Sequence, residues 1–290
     1  MSNAPISLPR PVRAVTQVFT RPVGVVLSGL EDAGEQMSFY ARALGWFGRT
    51  LVSYKREVVR LIAEVSLGSG ALALIGGSVG VVAFLTFFTG TEVGLEGYQG
   101  LQQIGISAFA GFVSAYFNTR EISPIVAGLA LTATVGAGFT AQLGAMRISE
   151  EIDALEVMGI PSIPFLVTTR LIAGLVAVIP LYIVGLVASY VSTRLIVTLY
   201  FHQSGGTYDH YFHTFLVPTD VLYSFLKIII FAVVVMLIHC YYGYYASGGP
   251  AGVGVAVGRA VRTSIVAINV IDLFLSLALW GANTTVRIAG

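Results

Sequence analysis

The sequence predicts an all-α polytopic membrane protein with five transmembrane helices, and three observations support this prediction. Of the 290 residues, 56% are hydrophobic and only 11% are charged, whereas soluble domains usually carry about 25% charged residues. Five apolar stretches each reach the length of about 20 residues that a helix needs to cross a hydrocarbon core. The 33 glycines are typical of membrane helices whose backbones approach each other closely. The predicted spans cover residues 66–90, 122–145, 171–197, 221–242 and 264–282.

Before the first span, the sequence predicts a polar cytoplasmic tail over residues 1–36 and one amphipathic helix over about residues 37–62. Apolar side chains recur in this helix at steps of three and four residues, the period of a helix face: Phe39, Ala43, Phe47, Leu51, Tyr54, Val58 and Leu61. Arg42, Arg49 and Arg56 lie on another face. An apolar stripe beside a basic stripe indicates an interfacial helix in the headgroup layer of the membrane. The alternative is an ordinary soluble helix that packs on a domain.

Basic residues set the predicted orientation of the chain. The first 60 residues hold eight of the 16 Lys and Arg residues, and the second and fourth loops between spans hold four more: Arg147, Arg170, Arg259 and Arg262. Residues 91–103 and 200–220 contain neither Lys nor Arg. Because basic loops tend to stay in the cytoplasm, we expect a cytoplasmic N-terminus. The apolar segment 104–116 is then not a span, and its length of about 13 residues favours a re-entrant or interfacial piece.

An acidic loop after the second span predicts a short cytoplasmic helix over residues 150–159. Ser149 can cap its start, and Gly159 and Pro161 are residues that end helices. Acidic side chains near the positive N-terminal end stabilise such a helix, but they oppose the preference for basic residues in cytoplasmic loops. Two interpretations are open: the helix docks into a groove on a partner, or the loop is a solvated acidic turn.

Charged residues inside the predicted spans indicate either a transport path or polar anchors of the bundle. Lys227 and Asp272 lie within the fourth and fifth spans, where an isolated ionised side chain costs roughly 2.5–3.5 kcal/mol. Their predicted depths differ by roughly 9 Å at about 1.5 Å per residue, so a direct ion pair requires the helices to tilt or shift. Arg120 and Glu121 open the second span. This pair either lines the outer mouth of a cavity or marks the membrane interface.

No motif in the sequence predicts catalysis or direct cofactor binding. Lys55 and Lys227 are the only lysines, and neither follows a glycine-rich phosphate-binding loop, so we do not expect the chain to hydrolyse ATP. A net charge of +1 argues against nucleic-acid binding, and the single cysteine excludes an internal disulfide. His210 and His213 next to Asp209 lack a third strong ligand, so no metal site is expected.

Several strings of residues closely resemble the permease family called MlaE or YrbE. They are REISP at residues 120–124, LGAMRISEEIDALEVMGI at 143–160, CYYGYY at 240–245, GGPAGVG at 248–254, RAVR at 259–262 and IDLFL at 271–275. The resemblance covers roughly residues 38–282 and implies one permease domain over residues 37–290. Members of this family are multi-pass membrane subunits of ABC-type lipid transporters that work with MCE-domain proteins. The resemblance therefore implies a place in the bacterial inner (plasma) membrane.

The resemblance also implies roles for individual residues. The helix over residues 150–159 resembles a coupling helix that contacts an ATPase, and its implied contact residues are Glu150, Glu151, Ile152, Asp153, Leu155, Glu156 and Met158. The positions that resemble charged residues of a lipid cavity or transport path are Arg120, Glu121, Lys227 and Asp272. Family members often carry charges in the second span where this chain has Thr134 and Gln142. Such a polar pair suits one half of a heterodimer whose other half keeps the charges.

The implied partners are cytoplasmic ABC ATPase subunits, a second and non-identical permease of the same type, MCE-domain proteins and a lipid substrate. No cofactor is expected to bind this chain directly, since ATP and Mg act through the ATPase. Phospholipid, fatty acid and sterol are all open as substrates. Two rival functions are also open: an ion- or proton-coupled carrier that uses Lys227 and Asp272, and an assembly subunit that does not transport.

Overall fold

The computed structural model describes residues 33–67 and 77–281, and every regular element within those ranges is a helix. The chain divides into two compact units, Met1–Gly45 and Trp46–Gly290. In the first unit, the described residues form helix α1 over residues 33–45. Most of the predicted tail, residues 1–32, lies outside the described residues.

The predicted amphipathic helix is interrupted. The second unit begins with α2 (Phe47–Ser53) and α3 (Lys55–Leu67), and Tyr54 between them has φ −120° and ψ 34°, outside the helical region. Leu51 of the predicted apolar stripe is 42% exposed, whereas Thr50 is buried. The prediction of one continuous helix over residues 37–62 is therefore wrong, because the backbone leaves the helical region at Tyr54.

In the described part of the chain, five helices are long and apolar enough to cross a membrane. The elements after α3 are α4 (Gly77–Gln103), α5 (Ser107–Ile148), α6 (Glu151–Val157), α7 (Ile163–Tyr200), α8 (Gly205–Phe215), α9 (Pro218–Tyr244) and α10 (Gly249–Trp280). The five candidate spans are α4, α5, α7, α9 and α10. The predicted fold class, an all-α polytopic membrane protein, is confirmed.

The membrane helices are longer than the predicted spans. α5 contains 42 residues and begins at Ser107, so most of the segment 104–116 is the start of this helix. The segment is not a separate span, as expected, but the continuous helix excludes the re-entrant alternative. α10 begins at Gly249, well before the predicted start at residue 264. α5 continues through the polar residues 118–121, and α10 begins on small residues, and a count of apolar residues registers neither extension. Residues 68–76 of the predicted first span lie outside the described residues.

Glycine allows α4 and α7 to pack closely. A Cβ atom on Gly90 would lie 2.3 Å from Ser192 Oγ and 2.6 Å from the backbone oxygen of Ser189, and one on Gly185 would lie 2.9 Å from Val82 Cγ1. Real Cβ atoms do not approach other atoms so closely, so a larger residue would force the helices apart. Small residues of this kind are what allow membrane helices to associate through backbone contact.

Buried hydrogen bonds fasten α5 to α7. The Asn118 amide donates to Thr193 Oγ1 at 2.9 Å, and Ser123 and Ser189 share a hydrogen bond of 2.9 Å. Thr193 Oγ1 also donates to the Gly90 carbonyl oxygen at 2.7 Å, which adds α4 to the same contact. Hydrogen bonds between membrane helices are worth roughly 0.6–2 kcal/mol each, so this network holds the three helices in register.

Candidate functional site

Lys227 of α9 is the centre of a buried polar cluster. Its side chain is 0% exposed, and Nζ lies 2.6 Å from Asp272 Oδ1 of α10 and 3.2 Å from Glu121 Oε2 of α5. The same ammonium group donates to the Arg120 carbonyl oxygen at 2.7 Å and to Ser276 Oγ at 2.9 Å. The predicted separation of Lys227 and Asp272 along the membrane normal was too large, because α10 extends beyond the predicted span and its register brings the two side chains together.

A second ion pair completes this cluster, and sequence reasoning missed one of its members. Arg120 donates from Nε to Asp220 Oδ2 at 2.9 Å, and Arg120 Nη2 lies 2.7 Å from the same oxygen. Trp280 Nε1 donates to Asp220 Oδ1 at 2.8 Å. The Arg120 guanidinium also stacks over the rings of Tyr116 and Trp280, at 4.2 and 5.1 Å from their centroids. A charge over an aromatic face is stabilised by the ring quadrupole.

We call this group the Lys227 cluster, and its members are Arg120, Glu121, Asp220, Lys227, Asp272, Ser276 and Trp280. Asp220 lies in the first turn of α9, two residues after Pro218. In the sequence it looks like the last residue of a polar loop, so nothing in the local pattern marks it as the partner of Arg120. The useful signal is that an acidic residue in the first turn of a membrane helix is close enough to the bundle to bind an arginine.

Local backbone geometry of α5 orients Arg120 and Glu121. Both lie in a π-helical segment, Ser114–Ile122, in which hydrogen bonds span five residues instead of four. Such segments are rare and are frequent at functional sites. Pro124 follows and has no N–H to donate to the carbonyl of Arg120 four residues earlier. Lys227 Nζ donates to that carbonyl, so the backbone of α5 takes part in binding the lysine.

The Lys227 cluster has more carboxylates than cations, and one of its carboxylates is partly exposed at the surface of the chain. Three carboxylates face two cations, so the group carries a net charge of −1 when all members are ionised. The side chains of Arg120, Asp220 and Asp272 are 9%, 9% and 10% exposed, whereas that of Glu121 is 34% exposed. The cluster therefore joins α5, α9 and α10 and presents one carboxylate outward.

A second polar network lies where α3, α5 and α7 meet. Gln142 Nε2 donates to Glu64 Oε1 at 2.7 Å, and Arg170 Nη2 donates to Gln142 Oε1 at 3.3 Å. Arg170 is only 4% exposed and also donates to the Leu166 carbonyl oxygen at 2.9 Å. Thr134 takes no part in this network, since its hydroxyl donates to the Ala130 carbonyl of its own helix. Gln142 thus links a carboxylate to a buried guanidinium, and Thr134 and Gln142 do not form a pair.

The predicted cytoplasmic helix exists but begins differently. α6 has seven residues, and Glu150 before it has a left-handed backbone with φ 61°. Ser149 does not cap the helix: its hydroxyl donates back to the Ala145 carbonyl and across to Glu151 Oε1 at 2.9 Å each. The end matches expectation, because Gly159 has φ 77°, a conformation that glycine adopts without strain.

α6 has an inner face that attaches it to the bundle and an outer face that is apolar. Ile152 is fully buried, so it anchors α6 and is not available to a partner. Glu156 Oε1 accepts hydrogen bonds from Ser162 Oγ at 2.5 Å and from the Tyr244 hydroxyl at 3.3 Å. On the other side, Val157 and Met158 are 89% and 66% exposed. Val157 was absent from the predicted contact residues, although its exposure exceeds that of Met158.

The remaining predicted contact residues of α6 divide between these two faces. Asp153 forms an ion pair of 2.6 Å with Arg147 at the end of α5, and the two side chains are 57% and 37% exposed. Leu155 is half-buried, whereas Glu150 and Glu151 are exposed. The outward surface of α6 therefore combines two large apolar side chains with several carboxylates, which is suited to binding a groove of mixed apolar and basic character.

The histidines of α8 are part of a surface contact. Asp209 accepts two hydrogen bonds from the Arg194 guanidinium, at 2.8 and 2.9 Å, and its backbone oxygen lies 2.7 Å from His213 Nδ1. The bonds from Arg194 lower the pKa of the Asp209 carboxyl below its ordinary value. Over the ranges that the structure describes, no group of three or more His, Cys, Asp and Glu side chains is placed to hold a metal ion.

Comparisons with known proteins agree on one family. A family model described as Permease MlaE matches residues 68–278. A probable ABC transporter permease protein of Rickettsia bellii is 29% identical over 253 residues, which cover 87% of this chain and 98% of the relative. The protein TRIGALACTOSYLDIACYLGLYCEROL 1, chloroplastic, of Arabidopsis thaliana is 29% identical over 199 residues, 69% of this chain and 57% of that protein. The intermembrane phospholipid transport system permease protein MlaE of Haemophilus influenzae is 24% identical over 261 residues, 89% and 100% of the two chains.

Proposed function

Because the chain belongs to the MlaE permease family, we propose that it is the lipid-translocating membrane subunit of an ABC transporter in the bacterial inner (plasma) membrane. In this proposal its N-terminus is cytoplasmic, and a separate cytoplasmic ABC ATPase binds ATP and Mg and supplies the energy. A second, non-identical permease of the same type completes the transmembrane part. MCE-domain proteins exchange lipid with the pair outside the cytoplasm.

The Lys227 cluster is the observation that carries the proposal. Ionised side chains are costly inside a membrane, and replacing a buried ion pair by apolar residues is often neutral or stabilising. Stability alone therefore gives no reason for five charged side chains among α5, α9 and α10. Glu121, at 34% exposure, connects the group to the outside of the chain. In our proposal that opening faces the lipid path, and the cluster binds the polar headgroup while apolar helix faces accommodate the acyl chains.

The outer surface of α6 supports a second part of the proposal, the contact with the ATPase. Val157 and Met158 are exposed on a short helix at a loop, where water would otherwise surround them. Exposed apolar side chains ringed by polar groups mark binding sites on protein surfaces. The inner contacts of Ile152 and Glu156 fix the orientation of α6, so a push on its outer face moves the ends of the neighbouring membrane helices.

The long face of α10 supports a partner within the membrane. Only 17% of its most apolar 18-residue window is buried inside the chain, the lowest share among the described candidate spans. Large apolar side chains are exposed along it, among them Ile265, Val266, Leu273, Phe274 and Leu277. Lipid or another apolar helix face can cover this surface. A second permease packed there would place its own helices beside the helix that carries Asp272.

The proposal is tested by ATP-dependent lipid transfer in liposomes that contain the complete transporter with its ATPase and MCE-domain subunits. The variant is Lys227→Met combined with Asp272→Asn, which removes one charge of each sign from the cluster. The control is Arg194→Gln combined with Asp209→Asn, which removes an exposed ion pair whose side chains are 47% and 40% exposed. We expect at least tenfold slower transfer in the variant and unchanged transfer in the control, with the same amount of ATPase copurifying in both.

The rival functions give different results in the same preparation. An ion- or proton-coupled carrier transports under a pH gradient when the ATPase is absent, and that result would overturn the proposal. An assembly subunit tolerates the Lys227→Met/Asp272→Asn change without loss of lipid transfer, since only its contacts with other subunits matter. Unchanged transfer in that variant would therefore refute a role for the Lys227 cluster in the lipid path.

A further inference from the structure

A cleft lies on the second unit where α2 gives way to α3. Two cavities of about 510 and 250 Å³ flank Tyr54 and share Ser53 and Tyr54 in their walls. We call them together the Tyr54 cleft, and its remaining lining residues are Trp46, Arg49, Thr50, Val52, Lys55, Arg56, Glu57, Pro161, Pro164 and Phe165. The cleft is remote from the Lys227 cluster, because Pro161 adjoins Ser162, and Ser162 contacts Tyr244 at the end of α9 far from Asp220.

The cleft carries unneutralised positive charge. Lys55 and Arg56 are exposed, and neither has an ion-pair partner within the described ranges. The Arg49 guanidinium lies 5.3 Å from the centroid of the Trp46 ring. Glu57 is the acidic residue in the lining, and Arg60 donates two hydrogen bonds to its carboxylate. Three cations therefore face the cleft, while the opposing carboxylate is already engaged.

Backbone donors and one side chain point to an anionic ligand. α3 has 13 residues, and the first N–H groups of a helix have no acceptor within it, so the larger cavity adjoins the positive end of a helix dipole. Independently, Thr50 in the wall of the smaller cavity is 1% exposed, and its Oγ1 has no hydrogen-bond partner among residues 33–67 and 77–281. Buried hydroxyl groups are almost always paired in folded proteins, so an unpaired one beside a cavity indicates a missing acceptor.

The opposite wall is apolar and aromatic. Phe165 packs edge-on against Tyr54, with ring centroids 5.3 Å apart, and Pro161 and Pro164 expose no backbone N–H group. Trp and Tyr side chains concentrate at the headgroup level of membranes because one end of each ring system is apolar and the other polar. The cations and helix N–H groups of the cleft suit the phosphate of a phospholipid. Its apolar rings suit the carbon atoms next to that phosphate.

We propose that the Tyr54 cleft binds the headgroup phosphate of an anionic phospholipid, at a site separate from the Lys227 cluster. The phosphate is bound by Lys55, Arg56 and the first turn of α3, and a headgroup oxygen accepts a hydrogen bond from Thr50. The first carbons of the lipid lie against Phe165 and the proline wall. Such a lipid fixes α2 and α3 to the start of α7 and is a resident lipid, not a transported one.

The test measures lipid binding to the purified full-length chain in an uncharged detergent by native mass spectrometry. The titrants are phosphatidylglycerol, phosphatidylcholine and inorganic phosphate, added separately. The variant is Lys55→Gln combined with Arg56→Gln, and the matched control is Arg259→Gln combined with Arg262→Gln, which removes the same charge from exposed residues of α10. Each basic side chain contributes about 1 kcal/mol to binding anionic lipid, which predicts about 30-fold weaker phosphatidylglycerol binding in the variant.

Thr50→Val supplies a second measurement that changes no charge. Loss of one buried hydrogen bond predicts about fivefold weaker phosphatidylglycerol binding. The proposal is overturned if both double variants lose affinity equally, which indicates diffuse attraction, or if Thr50→Val binds like the unchanged chain. Inorganic phosphate binding as tightly as phosphatidylglycerol also overturns it, since the ligand is then a soluble anion. Because the readout is binding to this chain alone, its failure leaves the proposed transport function untouched.

Discussion

Removal of Lys227 is expected to destabilise the chain far more than removal of Asp272, because the two side chains have unequal numbers of partners. In Lys227→Met, the carboxylates of Asp272 and Glu121 and the Arg120 carbonyl all lose the same donor. In Asp272→Asn, Lys227 keeps Glu121, Arg120 and Ser276 as acceptors. Removing one partner of a buried ion pair leaves the other charge uncompensated and lowers the free energy of unfolding by about 3–5 kcal/mol. Loss of one hydrogen bond among several costs about 1 kcal/mol.

The assay is reversible unfolding of the purified chain in mixed micelles, with the free energy of unfolding obtained from a titration with a denaturing detergent. Lys227→Met should lower that free energy by about 3–5 kcal/mol and Asp272→Asn by about 1 kcal/mol. The double variant should be no less stable than Lys227→Met, since one of the unpaired carboxylates is gone. Arg194→Gln serves as the control, because an exposed ion pair contributes about 0–1 kcal/mol. Equal costs for Lys227→Met and Asp272→Asn would refute the reasoning.

Three further predictions concern other parts of the molecule. Gly90→Ala should lower the free energy of unfolding, measured by the same detergent titration, by about 1–3 kcal/mol, because its Cβ would lie 2.3 Å from a serine hydroxyl of α7. Gly138→Ala should not lower it, because the added Cβ meets open space and alanine favours a helix by up to about 1 kcal/mol over glycine. Val157→Lys should reduce copurification of the ATPase about tenfold, equivalent to about 1.4 kcal/mol, without affecting the fold of a side chain that is 89% exposed. Arg194 lowers the pKa of Asp209, so the stability that this pair adds is present above the ordinary carboxyl pKa and is lost as pH falls through the lowered value. Asp209→Asn should therefore melt slightly below the unchanged chain at pH 7 and together with it in stronger acid.

Apolar stretches were sufficient to predict the number of membrane helices, because the cost of exposing backbone groups to lipid leaves helices as the way for apolar segments of this length to cross. Their ends could not be predicted in the same way. α5 begins at Ser107 in an apolar segment that the polar residues 118–121 separate from the predicted span, and α10 begins on small residues at Gly249. At both positions packing against neighbouring helices decides the conformation. The break at Tyr54 has the same origin, since its ring packs on Phe165 from a part of the chain more than a hundred residues away.

The positions of charged residues within apolar spans were sufficient to select Arg120, Glu121, Lys227 and Asp272. They were not sufficient to predict which of these side chains form ion pairs. That depends on the relative register of α5, α9 and α10, which no local pattern contains. Asp220 was missed for this reason: its neighbours resemble a polar loop, and its importance appears only when the first turn of α9 lies beside Arg120. Gln142 was seen as the loss of a family charge, whereas Glu64 and Arg170 give it two charged partners.

The proposed docking surface and the proposed lipid path are joined by one helix. α5 carries Arg120 and Glu121 at the end of its first third and Arg147 at its C-terminal end. Residues 121 to 148 span about 40 Å at about 1.5 Å per residue. α6 follows after two residues, and its Asp153 binds Arg147 at 2.6 Å. In the proposed complex, a displacement of α6 by the ATPase would therefore act directly on the end of α5. Midway along α5, Thr132–Gly136 forms a second π-helical segment, where the altered hydrogen-bond pattern makes bending less costly than in a regular helix. A movement that α6 passes to the end of α5 can then change the direction of the segment that holds Glu121, so α5 alone would connect the two proposed sites.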